Sequence, residues 1–301
     1  MSDTKSTRQK LEKQMRSDIE SGILTEWVGK HITREDTITQ YPVSALSAIL
    51  DRDDPEPEFG DELPPLWHWL YFLSADKASE IGNDGHVKRG DFLPPVPLPK
   101  RMRAGGRYFV EEPLLIGDQT NCVSTVTDIV NKHGRNGPLV FVTVRHEIFV
   151  GSTRKIVEEQ DIVYHNITHP QPQTRTPSSN PAPAAPQWSR IVTPDPVLLF
   201  RFSALTFNSH RIHYDRDYAI KEEGYPGLVV QAPLVSIILL DLLRANVPDS
   251  RVVNIRFRAI RPLFDTTAFL VQGRSDDCEV LLWAKDSYGN VAMIAEVTLC
   301  E

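Results

Sequence analysis

"YPGLVVQAPLVSIILLDLL", residues 225–243, is the most apolar stretch of this 301-residue chain. From Gly227 to Leu243 the apolar side chains would occupy nearly every side of a helix, and such a helix must be covered on most of its surface. Gln231, Ser236 and Asp241 interrupt the run, which is too short and too polar to span a bilayer. A curved antiparallel sheet folded round one helix provides the cover. Immediately before it stands "FNSHRIHYDRDYA", residues 207–219, which crowds Asn208, His210, Arg211, His213, Tyr214 and Asp215 together. Polar groups beside buried apolar surface are costly unless they find partners, so this loop is the candidate site.

The rest of the chain repeats the theme. "HPQPQTRTPSSNPAPAAPQ", residues 169–187, holds six prolines and hardly any large apolar residue, which predicts an extended linker. It separates an N-terminal domain, residues 1–168, from a C-terminal domain, residues 188–301. Residues 112–150 and 261–299 both open on Pro-Leu and continue as runs of Val, Thr, Ile and Phe broken by "KHGRNG" or "DSYGN". These read as antiparallel hairpins. In the first half "PPLWHWLYFLSADKASEIG", residues 64–82, is the counterpart helix candidate. The expected fold is α+β, with two units of buried helix and meander side by side. The acidic run at residues 51–62 is expected to be a solvated loop, and Trp67 and Trp69 core.

Composition excludes several classes. The chain is 41% hydrophobic and 24% charged, with a net charge of -7, which argues against a nucleic-acid surface. The first 22 residues mix acids and bases and lack an apolar signal segment, and neither they nor the central run predict a membrane span. Cys122, Cys278 and Cys300 lie too far apart for a disulfide framework or a metal knuckle. A cytoplasmic location is therefore the expectation. No metal cluster, Ser–His–Asp set or phosphate-binding glycine loop stands out.

With these residues in place, "FNSHRIHYD" followed by "YPGLVVQAPL" resembles the hydratase 2 motif of MaoC-like enoyl-CoA hydratases and dehydratases. "WHWLYFL", "GDFLPPVPLPKRMRAGG" and "VEEQDIVY" resemble the N-terminal domain of their double-hot-dog branch. That branch groups mesaconyl-C4-CoA and itaconyl-CoA hydratases with type 2 hydroxyacyl-thioester dehydratases. The resemblance implies a double hot dog, in which curved sheets wrap central helices, and reversible hydration of an enoyl-CoA thioester with a short dicarboxylic acyl group such as mesaconyl or itaconyl, the alternative being a type 2 3-hydroxyacyl-thioester dehydratase of fatty-acid or specialised metabolism. Coenzyme A is then part of the substrate, no further cofactor is implied, and the chain is a monomer or a homodimer. The family histidine falls on His213. Its aspartate falls on Asn208 and its oxyanion-hole glycine on Ala232, two departures from the pattern. Asparagine cannot carry protons but can hold a water, and alanine keeps the main-chain N–H that stabilises enolate charge. The implied scheme has His213 as the single base, Asn208 orienting water and Ala232 holding the thioester oxygen. Because the first half lacks such a loop, it is expected to serve as a wall.

Arg211, Gln231, Gly227 and Tyr214 are further candidates for substrate contact. For Arg211 the alternative is a pair with Asp215 or Asp217, for Gln231 a bond in the helix's first turn, and for Tyr214 loop scaffolding. Arg101, Arg103, Arg258 and Arg261 stay open between CoA phosphate or carboxylate contact and a solvated surface. Two other function classes share the fold expectation: a thioesterase, which would want a carboxylate near the helix, and a non-catalytic acyl-thioester binding module.

Overall fold

The computed structural model describes residues 23–134, 137–166, 183, 185–248 and 250–300. The polypeptide runs through β1 (His31–Thr37), α1 (Gln40–Ile49), β2 (Lys100–Val110), β3 (Gln119–Gly134), β4 (Gly137–Val150) and β5 (Thr153–His165). It continues as β6 (Trp188–Val192), α2 (Pro196–Leu205), α3 (Arg216–Lys221), α4 (Ala232–Asn246), β7 (Arg251–Ala259), β8 (Phe269–Asp276), β9 (Glu279–Lys285) and β10 (Val291–Cys300). All ten strands form one antiparallel sheet in the order β1-β3-β4-β5-β2-β7-β10-β9-β8-β6. Read outward from the β2–β7 seam, both sides have the same connectivity, so the repeat seen in the sequence is a repeat of topology. Most of the segment 169–187 lies outside the described residues. No helix among the described residues is long and apolar enough to cross a membrane.

Helix α4 is the centre of the second half. Every residue from Leu234 to Leu243 is buried, and the helix packs on β6, β8, β9 and β10. Asp241 is the exception to its apolar character, and a lone buried carboxylate is expensive. It is paired with Arg52 and with Arg190, the latter at 2.6 Å. Arg52 in turn holds Asp54, which also accepts from Ser47 Oγ at 2.8 Å and lies 3.1 Å from Arg244. The start of the acidic run is thus not simply a solvated loop: its charges answer a charge buried in the other half's helix.

The first half departs from expectation more sharply. Residues 64–82 contain no long helix but two short 3-10 turns, Trp67–Leu70 and Ala78–Glu80. Leu66 and Phe72 bracket the first with left-handed backbone, φ 69° and 58°, which no helix can accommodate. Trp67, Leu70 and Tyr71 are buried in the same core as α4, and Trp69 packs against its margin. The other end of the first sheet is filled by Val96 and Leu98, packed on Val126, Val140, Val142, Val144 and Tyr164. Short inserts replace a central helix, and the space beside them, lined by Leu93, Pro99, Gln160 and Ile162, belongs to a cavity described below.

At the seam Gly105 pairs with Arg258 and Gly106 with Phe257. A Cβ on Gly106 would lie 2.8 Å from Glu159 O and 2.9 Å from the Phe257 ring, so β2 depends on a bare backbone here. Gly106→Val is expected to lower stability by ~1–3 kcal/mol through overpacking. Urea unfolding checks this; an unchanged midpoint would mean that the seam tolerates a side chain.

Candidate active site

The polar loop begins where α2 ends. Phe207 turns the chain with φ 48°, and Asn208 N–H closes on Ser203 O at 2.8 Å. A 3-10 turn, Arg211–His213, follows, and Asp215 then caps α3 by accepting from Tyr218 N–H at 3.0 Å. Much of the crowding is local scaffolding. Arg211 donates to Asp215 from Nε and Nη2, at 3.1 and 2.8 Å, and lies 4.1 Å over the Tyr218 ring. Tyr214 donates its hydroxyl to Ser209 O at 3.0 Å.

His213 is different. It is buried, and its Nδ1–H donates to Val229 O at 2.7 Å. A carbonyl can only accept, so Nε2 is left as the bare lone pair. Burial pushes the imidazole down to about 4, against the opposing pull of the Val229 carbonyl. Asn208 Oδ1 accepts from His210 N–H at 3.1 Å, and among the described residues no bond from its Nδ2 is seen. Ala232 is the first residue of α4, where a helix leaves N–H groups unpaired and its dipole is positive.

Asn208, His213 and Ala232 all line one cavity of about 420 Å³. The four other candidates do not. Arg211 and Tyr214 are engaged as above. Gln231 is fully buried and donates from Nε2 to Leu199 O and Ser203 Oγ, both at 2.9 Å, which pins the start of α4 to α2. Gly227 lies where a Cβ would meet Asp265 and Thr266 at 2.6 Å, so it allows a close backbone approach rather than a ligand contact.

The opposite wall comes from the first half, and part of it was missed in the sequence. The loop at Asp84–Gly85–His86 docks onto the polar loop. Ser209 Oγ donates to Gly85 O at 2.5 Å, and Arg211 N–H to Asp84 O at 2.9 Å. Gly85 has φ 87°, and a Cβ there would fall 1.8 Å from Ser209 O. His86 Nδ1–H donates to Asp84 at 3.1 Å, and its ring lies 3.9 Å from that of His210, which is 5.3 Å from His213. Burial, then the neighbouring His86 and His213, push His210 down to about 2. Ligand atoms of Asp84, His86 and His210 lie within 4.8 Å of one another, the one such trio among the described residues. Asp84 already accepts the Nδ1–H of His86, so the group is arranged as a hydrogen-bonded pair beside a tilted neighbouring ring, not as three converging lone pairs. In the sequence only "NDGH", an Asp-Gly turn followed by histidine, marks the place.

Arg101 and Arg103 also line the cavity. Arg103 is ion-paired with Glu158, which also accepts from His68 at 2.7 Å and Trp69 at 2.9 Å. Burial would raise the Glu158 carboxyl, but the Arg103 charge overrides it and holds it far below the usual range. Arg261 sits 3.7 Å from Asp286 and lines both this cavity and a larger groove of about 1520 Å³. Arg258 is exposed in that groove.

The depressed histidines make stability depend on pH. Unfolded imidazoles take up protons near pH 6.5, whereas His213 resists until about 4. The unfolded state therefore binds more protons in this window, and stability falls as pH drops from 6.5 toward 4. His213→Gln should make that decline shallower by up to ~1.4 kcal/mol per pH unit. Urea titrations at several pH values check this, and an identical slope in the variant would contradict it.

Comparison with known proteins bears on the family and the fold. The family model for hydroxyacyl-thioester dehydratase type 2 matches residues 66–265. Mesaconyl-C(4)-CoA hydratase of Chloroflexus aurantiacus is 44% identical over 273 residues, covering 91% of this chain and 96% of that protein. A MaoC-like dehydratase from Phytophthora capsici superposes with a TM-score of 0.63 at 15% identity, covering 91% of this chain and 96% of the other. A Mycobacterium tuberculosis protein described as a double hotdog gives a TM-score of 0.56 at 11% identity, covering 90% and 96%. The fold is a double hot dog, and the chain belongs to the type 2 hydroxyacyl-thioester dehydratase family.

Proposed function

We propose that the protein is a hydro-lyase that adds water reversibly to an enoyl-CoA thioester whose acyl group carries a second carboxylate. The observation that supports this reading is that Asn208, His213 and Ala232 line one cavity, with His213 Nδ1–H taken by Val229 O. The 44% identity to a mesaconyl-C(4)-CoA hydratase supports the choice of acyl group.

In this scheme the thioester oxygen accepts from Ala232 N–H at the start of α4. A water sits between the Asn208 amide and His213 Nε2. The water oxygen bonds to Cβ as His213 takes one of its protons, and the π electrons move onto the thioester oxygen as an enolate. The N–H and the helix dipole stabilise that charge without having to reorganise, an effect worth ~100-fold or more in rate. His213 then returns the proton to Cα, so one water has been added and the base regenerated. Val229 O, bonded to Nδ1–H, steadies the imidazolium in between. Its low basicity keeps His213 unprotonated and ready at neutral pH. No step in the scheme calls for a metal or redox group.

Residues 188–301 would supply the catalytic groups. Residues 1–168 would supply the facing wall, including Asp84 and His86. The larger groove shares Met102, Tyr225 and Arg261 with the cavity and exposes Arg256 and Arg258, which suits pantetheine and phosphate. The β2–β7 seam lies within one chain, which supports work as a monomer or a homodimer. Free Cys122 and Cys278 support a reducing compartment such as the cytoplasm. The second reading, favoured by the family description, is dehydration of a 3-hydroxyacyl thioester at the same site.

A panel of mesaconyl-C4-, itaconyl- and crotonyl-CoA tests the proposal. His213→Ala should lower kcat by ~10²–10⁴-fold on the preferred substrate. Release of free thiol without hydration would point to a thioesterase instead. Binding without wild-type turnover, unaffected by His213→Ala, would point to a non-catalytic module.

A further inference from the structure

The charges around the cavity do not cancel. Four cationic side chains of β2 and the β7–β8 connection line it: Lys100, Arg101, Arg103 and Arg261. Three have carboxylate partners: Lys100 has Glu223 at 2.6 Å, Arg103 has Glu158, and Arg261 has Asp286 at 3.7 Å. The remaining carboxylate of the wall, Asp84, is taken by the ring and main-chain N–H of His86, at 3.1 and 3.0 Å. Arg101 forms no ion pair with a carboxylate among the described residues, and donates from Nη2 to Val87 O in a long 3.3 Å bond. Its half-buried guanidinium therefore leaves a positive charge in a partly desolvated wall.

The surroundings strengthen that field. Arg89, close enough for Arg101 to depress its basicity, is fixed by Val96 O at 2.8 Å, Leu98 O and Pro99 O at 2.7 Å, and lies 5.1 Å over the Tyr164 ring. Burial above all, with a smaller contribution from Arg101, disfavours the charged forms of His86 and His210. Val87, whose carbonyl Arg101 meets, adjoins His86, and the His86 ring lies 3.9 Å from that of His210, itself 5.3 Å from His213, which places Arg101 on the histidine side of the cavity. A guanidinium at a half-dry wall favours a planar, bidentate anion of carboxylate type.

Resting on the hydro-lyase reading, we propose that Arg101 is the receptor for the second carboxylate of the acyl group and selects dicarboxylic thioesters over uncharged ones of the same length. This assigns specificity to a residue of the half without the catalytic loop. Chemistry and acyl selection are then divided between the halves and meet only once the chain is folded.

The test separates this claim from turnover by using saturated thioesters, which cannot be hydrated. Calorimetric titration of succinyl-CoA and butyryl-CoA compares wild type with Arg101→Gln and Arg101→Lys. Wild type should bind succinyl-CoA at least ~10-fold more tightly than butyryl-CoA. Arg101→Gln should weaken succinyl-CoA by ~10–100-fold and change butyryl-CoA far less, with Arg101→Lys in between. Retained butyryl-CoA binding shows that the variant is folded. No preference in wild type, a preference that survives Arg101→Gln, or equal weakening of both ligands would overturn the assignment. Failure of the hydro-lyase reading would appear instead as absent turnover across the enoyl panel, with these affinities unaffected.

Discussion

Much of this structure follows from the need to bury helix α4 while leaving its first turn open. Nine of the ten residues from Leu234 to Leu243 have neutral side chains and must be shielded, and the second half of the sheet curves round them. The amino end cannot be sealed in the same way without orphaning its N–H groups. Gln231 settles part of this conflict by tying the helix start to α2. What remains is a main-chain donor at the positive end of a dipole, facing a cavity. A packing requirement has thus left a helix start beside the cavity, which suits the role proposed for Ala232.

The two halves of the sheet share a topology but have diverged in what fills them. One is filled by α4, the other by short inserts that leave room. The halves are joined by the strand pair at the seam, by the ionic cluster around Asp241, and by the docking of residues 84–86 on the polar loop. The last contact also bears on the site, because it brings the His86 ring within 3.9 Å of that of His210 and builds the cavity from both halves. A single hot-dog unit would lack one wall of this site.

Legibility in the sequence followed the range of the interactions. The α4 helix, the hairpins and the polar loop each have local signatures, in periodicity, turn residues or crowding of polar groups, and each lies where that signature predicts. Asn208, His213 and Ala232, carried over from the family pattern, face one cavity. The expected helix at residues 64–82 was wrong because its apolar count ignores the left-handed turns at Leu66 and Phe72. For Arg211 and Gln231 residue type left the choice between ligand and local partner open, since both side chains suit a ligand as well as they suit Asp215 or Ser203. Asp84 and His86 were missed because their partner Ser209 is 124 residues away from Gly85, and no local pattern encodes that distance.

The central claim is spatial: one thioester meets the start of α4 and the His213 imidazole together. The most direct measurement is a crystal structure with an unreactive saturated acyl-CoA bound. The account predicts the thioester oxygen about 3 Å from Ala232 N, with the C3 carbon facing His213 Nε2. An acyl chain seated elsewhere, with its carbonyl turned away from the start of that helix, would contradict it.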